Sequence, residues 1–189
     1  MGAPPIPPDA ATRLRALAHP LRWRLLHLLD AEDSATATRC SQVLGESVAS
    51  CAYHLGILGK YGYVEQLSDT PGRERPWRSI DRHQDLSAPG TGIEDELAAE
   101  AALDAFLEHE FAEMRARQHR KQLESAEWSR AVVIGGSTMW VTAAELESIK
   151  DELLALLHRF EERSVDPEQR PDGARPARVF FSTSVSPEP

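Results

Sequence analysis

The sequence has few cysteines and no recognised catalytic or metal-binding pattern. Its two cysteines, Cys40 and Cys51, are too few for a disulfide framework, and both fall at apolar positions of predicted helices, as small buried residues do. No CxxC or HExxH pattern accompanies them, so we expect neither a metal site nor a cofactor. No Ser/His/Asp spacing or phosphate-binding glycine loop is evident, so an enzyme is not expected.

Neither a membrane span nor a signal peptide is evident in the sequence. No apolar stretch approaches the roughly 18 residues that a transmembrane helix needs, so we expect no membrane partner. The opening segment, MGAPPIPPDA, lacks the basic and apolar regions of a signal peptide and predicts a disordered, Pro-rich leader over residues 1–8. These features together favour a cytoplasmic location.

Negative charge predominates, with a formal net charge of −9 at pH 7. The excess is confined to the second half of the chain, because ten basic and ten acidic residues balance one another up to Asp85. A neutral first half can still present a local basic surface, whereas an acidic second half would face away from phosphate. The total charge therefore does not exclude a nucleic-acid partner.

Helical periodicity dominates the beginning of the chain. Asp9 can cap a first helix with Leu14 and Leu17 facing inward, and Pro20 suits the first position of a second helix. The second helix places four leucines on one face, which we expect to form core: Leu21, Leu25, Leu28 and Leu29. Trp23 is expected to pack against this core rather than to bind a ligand.

Two further helices follow, separated by a very short link. Thr36 is the expected N-cap of the third helix, and Gly45 is its expected left-handed end. Ser47 caps the fourth helix, which we expect to end at Gly62. The expected apolar contacts of the two helices are Cys40, Val43, Leu44, Cys51, Leu55, Ile57 and Leu58. So tight a link predicts a helix-turn-helix in which the second helix projects.

The segment YVEQLSDTPGRERPWRSID predicts a small β-hairpin with a charged tip. Val64 and Leu67 alternate before the turn at SDTPG, and Pro76 suits an edge strand. Helices followed by such a hairpin make a winged helix. We therefore predict a winged helix-turn-helix domain over residues 9–85, with DLSAPGTG as the linker that follows it.

Residues 92–189 predict a second region built around a long helix. The stretch from Ile93 to Trp128 contains no Pro or Gly and predicts one long helix or two. Its apolar positions include Ile93, Leu97, Ala101, Phe106, Phe111 and Met114. A helix of this length cannot bury its stripe within so small a domain, so pairing with a second chain is expected.

The C-terminal part predicts a small α+β element. AVVIGGSTMWVT is typical of strand, turn and strand, and RVFFSTS is typical of a further short strand. Between them, Thr142 and Glu145 form a capping box that opens an amphipathic helix. The predicted fold is thus mainly α with small β: a winged helix-turn-helix, a long dimerisation helix and a small α+β element.

The start of the fourth helix carries hydrogen-bonding side chains, namely Ser47, Ser50, Tyr53 and His54. A duplex major groove admits one helix, and residues near the start of that helix reach the base edges. Lys60, near the other end, would contact the backbone. For His54 the alternative is a partly buried ring near Cys51.

The hairpin tip adds three arginines, Arg73, Arg75 and Arg78. Arginine suits both phosphate contact and insertion into a minor groove. A charged hairpin by itself is usually only solvated, but after a helix-turn-helix we expect it to touch DNA. The predicted DNA-binding set is therefore the four residues of the helix start, Lys60 and these arginines.

Three segments together resemble a known family: ALAHPLRWRLLHLL, TATRCSQVLGESVASCAYHLGILGKYGYVE and GRERPWR. They are similar to the winged helix-turn-helix of ArsR-type transcriptional regulators, particularly actinobacterial members with an extended C-terminal region. The resemblance implies a homodimer on a palindromic operator, with Ser47, Ser50, Tyr53 and His54 on the recognition helix. The paired-cysteine motif of metal-sensing members is missing, and Ala52 and Gly56 replace a serine and a basic residue common in the family.

We therefore expect a homodimeric, sequence-specific DNA-binding regulator of transcription, with repression favoured. The alternative is a winged helix used for protein contact without DNA binding, which the acidic total and Gly56 would suit. A small-molecule effector is a further expected partner if four aromatic residues line a pocket rather than a dimer core: Phe106, Phe111, Trp128 and Trp140.

Overall fold

A computed structural model describes residues 10–68, 74–80, 86 and 93–186 of the chain. The leader predicted at residues 1–8 and, apart from Leu86, the linker predicted at 85–92 lie outside these residues. The fold is mainly helical and contains one small two-stranded antiparallel sheet. Contacts along the chain divide it into two compact units, Met1–His119 and Arg120–Pro189.

The first unit contains five helices and a β-hairpin among its described residues. Their bounds are α1 Ala10–Arg15, α2 Pro20–Glu32, α3 Ala37–Leu44, α4 Val48–Lys60, β1 Val64–Gln66, β2 Trp77–Ser79 and α5 Ile93–Arg120. This order agrees with the sequence-based expectation, although α4 ends at Lys60, two residues before Gly62, which takes the left-handed conformation.

Helix α2 is the centre of the core. Pro20 occupies its first turn, and the Nδ1 atom of His19 accepts a hydrogen bond from the Leu21 N–H. All four predicted leucines are buried, as are Leu14 and Leu17. The Trp23 side chain is fully buried and packs against the Phe106 ring of α5, with the ring centroids 4.8 Å apart. The packing role predicted for Trp23 is confirmed.

The link between α3 and α4 has the predicted caps. The Thr36 hydroxyl accepts from the Arg39 N–H, Gly45 is left-handed at φ 71°, and the Ser47 hydroxyl accepts from the Ser50 N–H. The left-handed turn is one that glycine takes at little cost, so it ends α3 and lets α4 begin two residues later. Val43 was expected to make an apolar contact from α3. It is 45% exposed, so this expectation is wrong.

Both cysteines are buried, as predicted. Burial raises the pKa of the Cys40 thiol to about 11, and it also raises the pKa of the Cys51 thiol. Cys51 shares its buried face of α4 with Leu55 and Leu58. Both thiols therefore stay protonated at neutral pH and act as small core residues.

The predicted hairpin is confirmed as an antiparallel pair, with Val64 opposite Ser79. A third segment pairs with this hairpin, and no sequence pattern predicted that pairing. Ala35, in the loop between α2 and α3, exchanges two backbone hydrogen bonds of 2.9 and 2.8 Å with Trp77. The hairpin is therefore tied by its backbone to the loop that precedes α3.

Gly56 and Gly59 lie on the same helix in different surroundings. A Cβ at Gly59 would lie 2.7 Å from the Trp77 ring, whereas a Cβ at Gly56 would meet nothing within 4 Å. We expect Gly56→Ala to raise the free energy of unfolding by about 1 kcal/mol through helix propensity. We expect Gly59→Ala to lower it by about 1–2 kcal/mol, because crowding of Trp77 outweighs the same gain. Urea denaturation measures both, and stabilisation by Gly59→Ala would contradict the crowding.

Helix α5 has 28 residues, and its buried face differs from the predicted stripe. Ala98, Ala102 and Ala105 are buried, whereas Ile93 and Leu97 are exposed. The small alanines allow the helix to approach the rest of the unit closely, a contact that apolar periodicity alone does not reveal. Among the described residues, no helix, α5 included, combines the length and hydropathy needed to cross a membrane.

The second unit begins with a short 3-10 helix at Lys121–Leu123, and its longer helices are α6 Ala126–Ala131, α7 Ala143–His158 and α8 Glu161–Val165. The capping box predicted at Thr142 and Glu145 is confirmed. Residues 120–186 are all described and contain no strand, so the strands predicted in AVVIGGSTMWVT and RVFFSTS are wrong. The apolar residues there, such as Val133, stay exposed, because no neighbouring segment pairs with their backbone.

Candidate nucleic-acid interface

One side of α4 is exposed along its whole length. Its residues recur at the spacing of a helix face: Ala49, Ala52, Tyr53, Gly56 and Lys60. The Tyr53 side chain is 65% exposed and is the largest group on this face. Three of these five residues are small, so a partner surface can approach the α4 backbone closely on both sides of the phenol ring.

The beginning of α4 is fixed by contacts from α2 and α3. Arg24 of α2 makes an ion pair of 2.9 Å with Glu46 and also donates to the Leu44 carbonyl. The Ser41 hydroxyl donates to the Glu46 carbonyl at 2.6 Å. The two-residue link is therefore held from both sides, which sets the direction in which α4 leaves it.

His54 does not lie on the exposed face, so the expectation that it points outward is wrong. It is 8% exposed, and its Nδ1 atom accepts a hydrogen bond of 3.2 Å from the Nε of Arg22. Its ring lies against that of His19, with the centroids 4.3 Å apart. Burial, with His19 and Arg22 as neighbours, lowers the pKa of His54, so the ring is neutral at neutral pH. His54 is therefore buried, as in the alternative that the sequence left open, and its bond with Arg22 joins α4 to α2.

The two serines of the predicted set lie at the helix start. The exposed Ser47 hydroxyl accepts a hydrogen bond of 3.1 Å from the Ser50 N–H. A hydroxyl that accepts one bond still has its own proton to donate. Ser50 is only partly exposed. Ser47 is therefore the better placed of the two to donate to a ligand at the positive end of the helix dipole.

The hairpin arginines have different surroundings. Arg73 lies outside the described residues. Arg75 is exposed, whereas Arg78 makes an ion pair of 2.7 Å with Glu65 on the neighbouring strand. Among the described residues no ion pair involves Arg75, so its charge is available to a partner.

A shallow depression beside α4 brings together basic and aromatic side chains from three helices. Its lining includes Arg15, Arg22, Tyr53, Lys60 and Tyr61. The Lys60 ammonium lies 5.4 Å from the centre of the Tyr61 ring. Sequence reasoning selected Tyr53 and Lys60 but missed the other three residues. Arg15 and Arg22 belong to α1 and α2, and only the packing of these helices against α4 reveals their place.

The aromatic residues considered for an effector pocket belong to both units. In the first unit, Phe106 packs on Trp23, and Phe111 is 46% exposed. In the second unit, the Arg175 guanidinium lies 5.0 Å from the centre of the Trp128 ring, and Trp140 is fully exposed. The effector pocket stays a prediction.

No protein-family model and no curated protein matches this chain. Its function is therefore argued from the residues and contacts described above. The exposed face of α4 and the depression beside it are the strongest features for that purpose, because they combine exposure, fixed position and positive charge.

Proposed function

We propose that the protein is a sequence-specific DNA-binding regulator of transcription, favouring repression, that acts as a homodimer and without catalysis. The observation that carries the proposal is the exposed face of α4, which begins at a capped helix start and ends at Lys60. In this proposal α3 and α4 form a helix-turn-helix, α4 enters the major groove, and the β1–β2 hairpin is the wing.

The side chains of α4 suit contact with a duplex. A helix fills the major groove, so small residues such as Ala49 and Ala52 permit close approach to the bases. The Tyr53 phenol reaches furthest and can donate to or accept from a base edge. Ser47, at the helix start, is placed to donate to a phosphate. Tyr53 would thus read sequence, and Ser47 would fix position.

Positive charge flanks this face despite the acidic total. Lys60 lies at the far end of α4, beside Arg15 and Arg22 in the depression, and Arg75 lies on the hairpin side. Long basic side chains at both edges of a helix can contact the phosphates that border a groove. Arg78 would contribute less than Arg75, because Glu65 already neutralises part of its charge.

In this proposal the dimer forms through the face of α5 that is not buried within the first unit. At 3.6 residues per turn, one exposed or half-exposed apolar row lies roughly opposite the buried alanines. Its members are Ile93, Leu103, Leu107, Phe111 and Met114. A second copy of the chain would cover this row. Two copies of α4 could then occupy successive half-sites of a palindromic operator.

Fluorescence anisotropy with duplex from the protein's own promoter region tests DNA binding. We expect the logarithm of the binding constant to fall linearly with that of salt concentration, by about 0.9 per phosphate contact. Lys60→Ala should weaken binding to every duplex and reduce this slope by about 1. Tyr53→Ala should lower the preference for the operator over unrelated duplex by about tenfold. Lys150→Ala, an exposed lysine of α7, is the control and should change neither quantity.

A second function, protein contact through the same face, is favoured by the exposure of Val43 on α3 and Val48 at the start of α4. The anisotropy experiment distinguishes DNA binding from protein contact. Duplex binding that is absent at low salt, or that is indifferent to both Lys60→Ala and Tyr53→Ala, contradicts the regulator. Protection of Tyr53 by another protein in the complex isolated from cells would then support protein contact.

A further inference from the structure

Three buried side chains capable of binding a metal meet between α2 and α5. His27 comes from α2, and His109 and Glu110 come from α5. The Nδ1 of His27 lies 2.7 Å from the Nε2 of His109, and the Nε2 of His27 lies 3.1 Å from a carboxylate oxygen of Glu110. Glu110 is 2% exposed and His109 is 8% exposed.

We propose that His27, His109 and Glu110 bind one divalent transition-metal ion of the zinc class. Two imidazoles and one carboxylate are a ligand set that zinc uses, with a fourth position left for water or another donor. A metal ion would add two positive charges beside the buried Glu110 carboxylate, which lies 3.1 Å from the Nε2 of His27. The inference does not rest on DNA binding.

The distances are compatible with this assignment after small side-chain rotations. One ligand atom from each residue can be chosen so that all three lie within 4.8 Å of one another. Ligand atoms at about 2.0–2.2 Å from a tetrahedral zinc ion lie about 3.3 Å apart. The widest separation among the three atoms exceeds that spacing by at most about 1.5 Å, which rotation of the rings and the carboxylate would have to remove.

The contact between the two rings also constrains the position of a proton. Two imidazole nitrogens 2.7 Å apart share a proton in the metal-free protein, because one of them must donate. A metal ion needs the lone pair of a ring nitrogen, so a nitrogen that carries this proton must pass it to the other nitrogen of its ring or to solvent before it can bind the ion.

A bound ion would join α2 to α5 by coordination as well as by packing. Trp23 and Phe106 already connect the two helices through ring contact, and His27 lies one turn further along α2 from Trp23. The alternative is a metal-free cluster, in which the bond between the two rings and the 3.1 Å contact between His27 and Glu110 stabilise the packing without binding a cation. The two differ in their response to added metal.

The test uses full-length protein without a histidine tag, stripped with a chelator. Titration with Co²⁺ should produce the visible absorption of a tetrahedral site, and Zn²⁺ competition against a chromophoric chelator should give one strong site per chain. Glu110→Gln and His27→Gln should each weaken Zn²⁺ binding by more than about 100-fold, since loss of a direct ligand costs more than loss of an outer partner. His119→Gln, an exposed histidine also on α5, should change nothing.

Hydrogen exchange on wild-type protein keeps the test independent of variant folding. Added Zn²⁺ should slow exchange in α2 and in the middle of α5. The proposal is overturned if stripped protein shows no saturable binding, if both ligand variants bind as wild type does, or if Zn²⁺ leaves exchange in these helices unchanged. The metal-free contacts of the three side chains would then account for the cluster.

Discussion

Trp23→Ala is expected to lower the free energy of unfolding by about 3–5 kcal/mol, which is enough to unfold many domains of this size. The side chain is fully buried in α2 and packs against Phe106 of α5. Truncation removes a large apolar surface and leaves a cavity that the neighbouring leucines cannot fill without shifting. Loss of the ring contact also weakens the attachment of α5.

Trp140→Ala is the matched control, because that side chain is fully exposed. We expect it to change the free energy of unfolding by less than about 0.5 kcal/mol. Trp23→Phe should cost less than Trp23→Ala, because phenylalanine leaves a smaller cavity and the lost indole N–H has no acceptor among the described residues. Urea denaturation followed by far-UV circular dichroism measures all three. Equal stability of the two alanine variants would contradict the described core.

Replacing Leu103 and Phe111 together by glutamate should convert the proposed dimer to a monomer. Both side chains are exposed on α5, at 41% and 46%. If a second chain covers them, the double variant buries two carboxylates without partners in each protomer, which costs several kcal/mol. The dimer dissociation constant should rise by more than about 100-fold, since each 1.4 kcal/mol is a factor of ten.

Sedimentation at micromolar concentration measures the mass directly. Leu123→Glu is the control, because Leu123 is 84% exposed and lies beyond α5. Operator affinity should fall along with the dimer, because each monomer would then bind a half-site independently. A wild-type protein that sediments as a monomer would contradict the α5 interface and leave the metal site untouched.

Local signals in the sequence predicted the first unit well. Pro20, Thr36, Gly45 and Ser47 mark helix ends through their own backbone and hydroxyl chemistry, and each lies where expected. Beyond residue 120 the capping box of α7 was also confirmed, but the predicted strands were wrong. Apolar runs such as VVI were taken as strands, but a strand needs a neighbouring backbone to pair with, and no local signal shows whether one is present.

The candidate site was only partly accessible from the sequence. Helical spacing placed Tyr53 and His54 together at the start of α4, yet the two lie on different faces, and Arg22 holds His54 inside. The spacing of residues along one helix does not reveal which face of that helix a neighbouring helix will cover. Arg15, Arg22 and Tyr61 were missed for the same reason.

By itself, the sequence determined where helices α2, α3 and α4 begin, where α3 ends and which segments form the hairpin, because caps, glycine turns and leucine periodicity act within a few residues. Only the tertiary structure decided which side of α4 is exposed, which side of α5 is buried, and that His27 meets residues 82 positions later in the chain. These outcomes depend on contacts between distant segments. Their energies arise when apolar and polar surfaces from different helices are buried together, so no single stretch of sequence contains them.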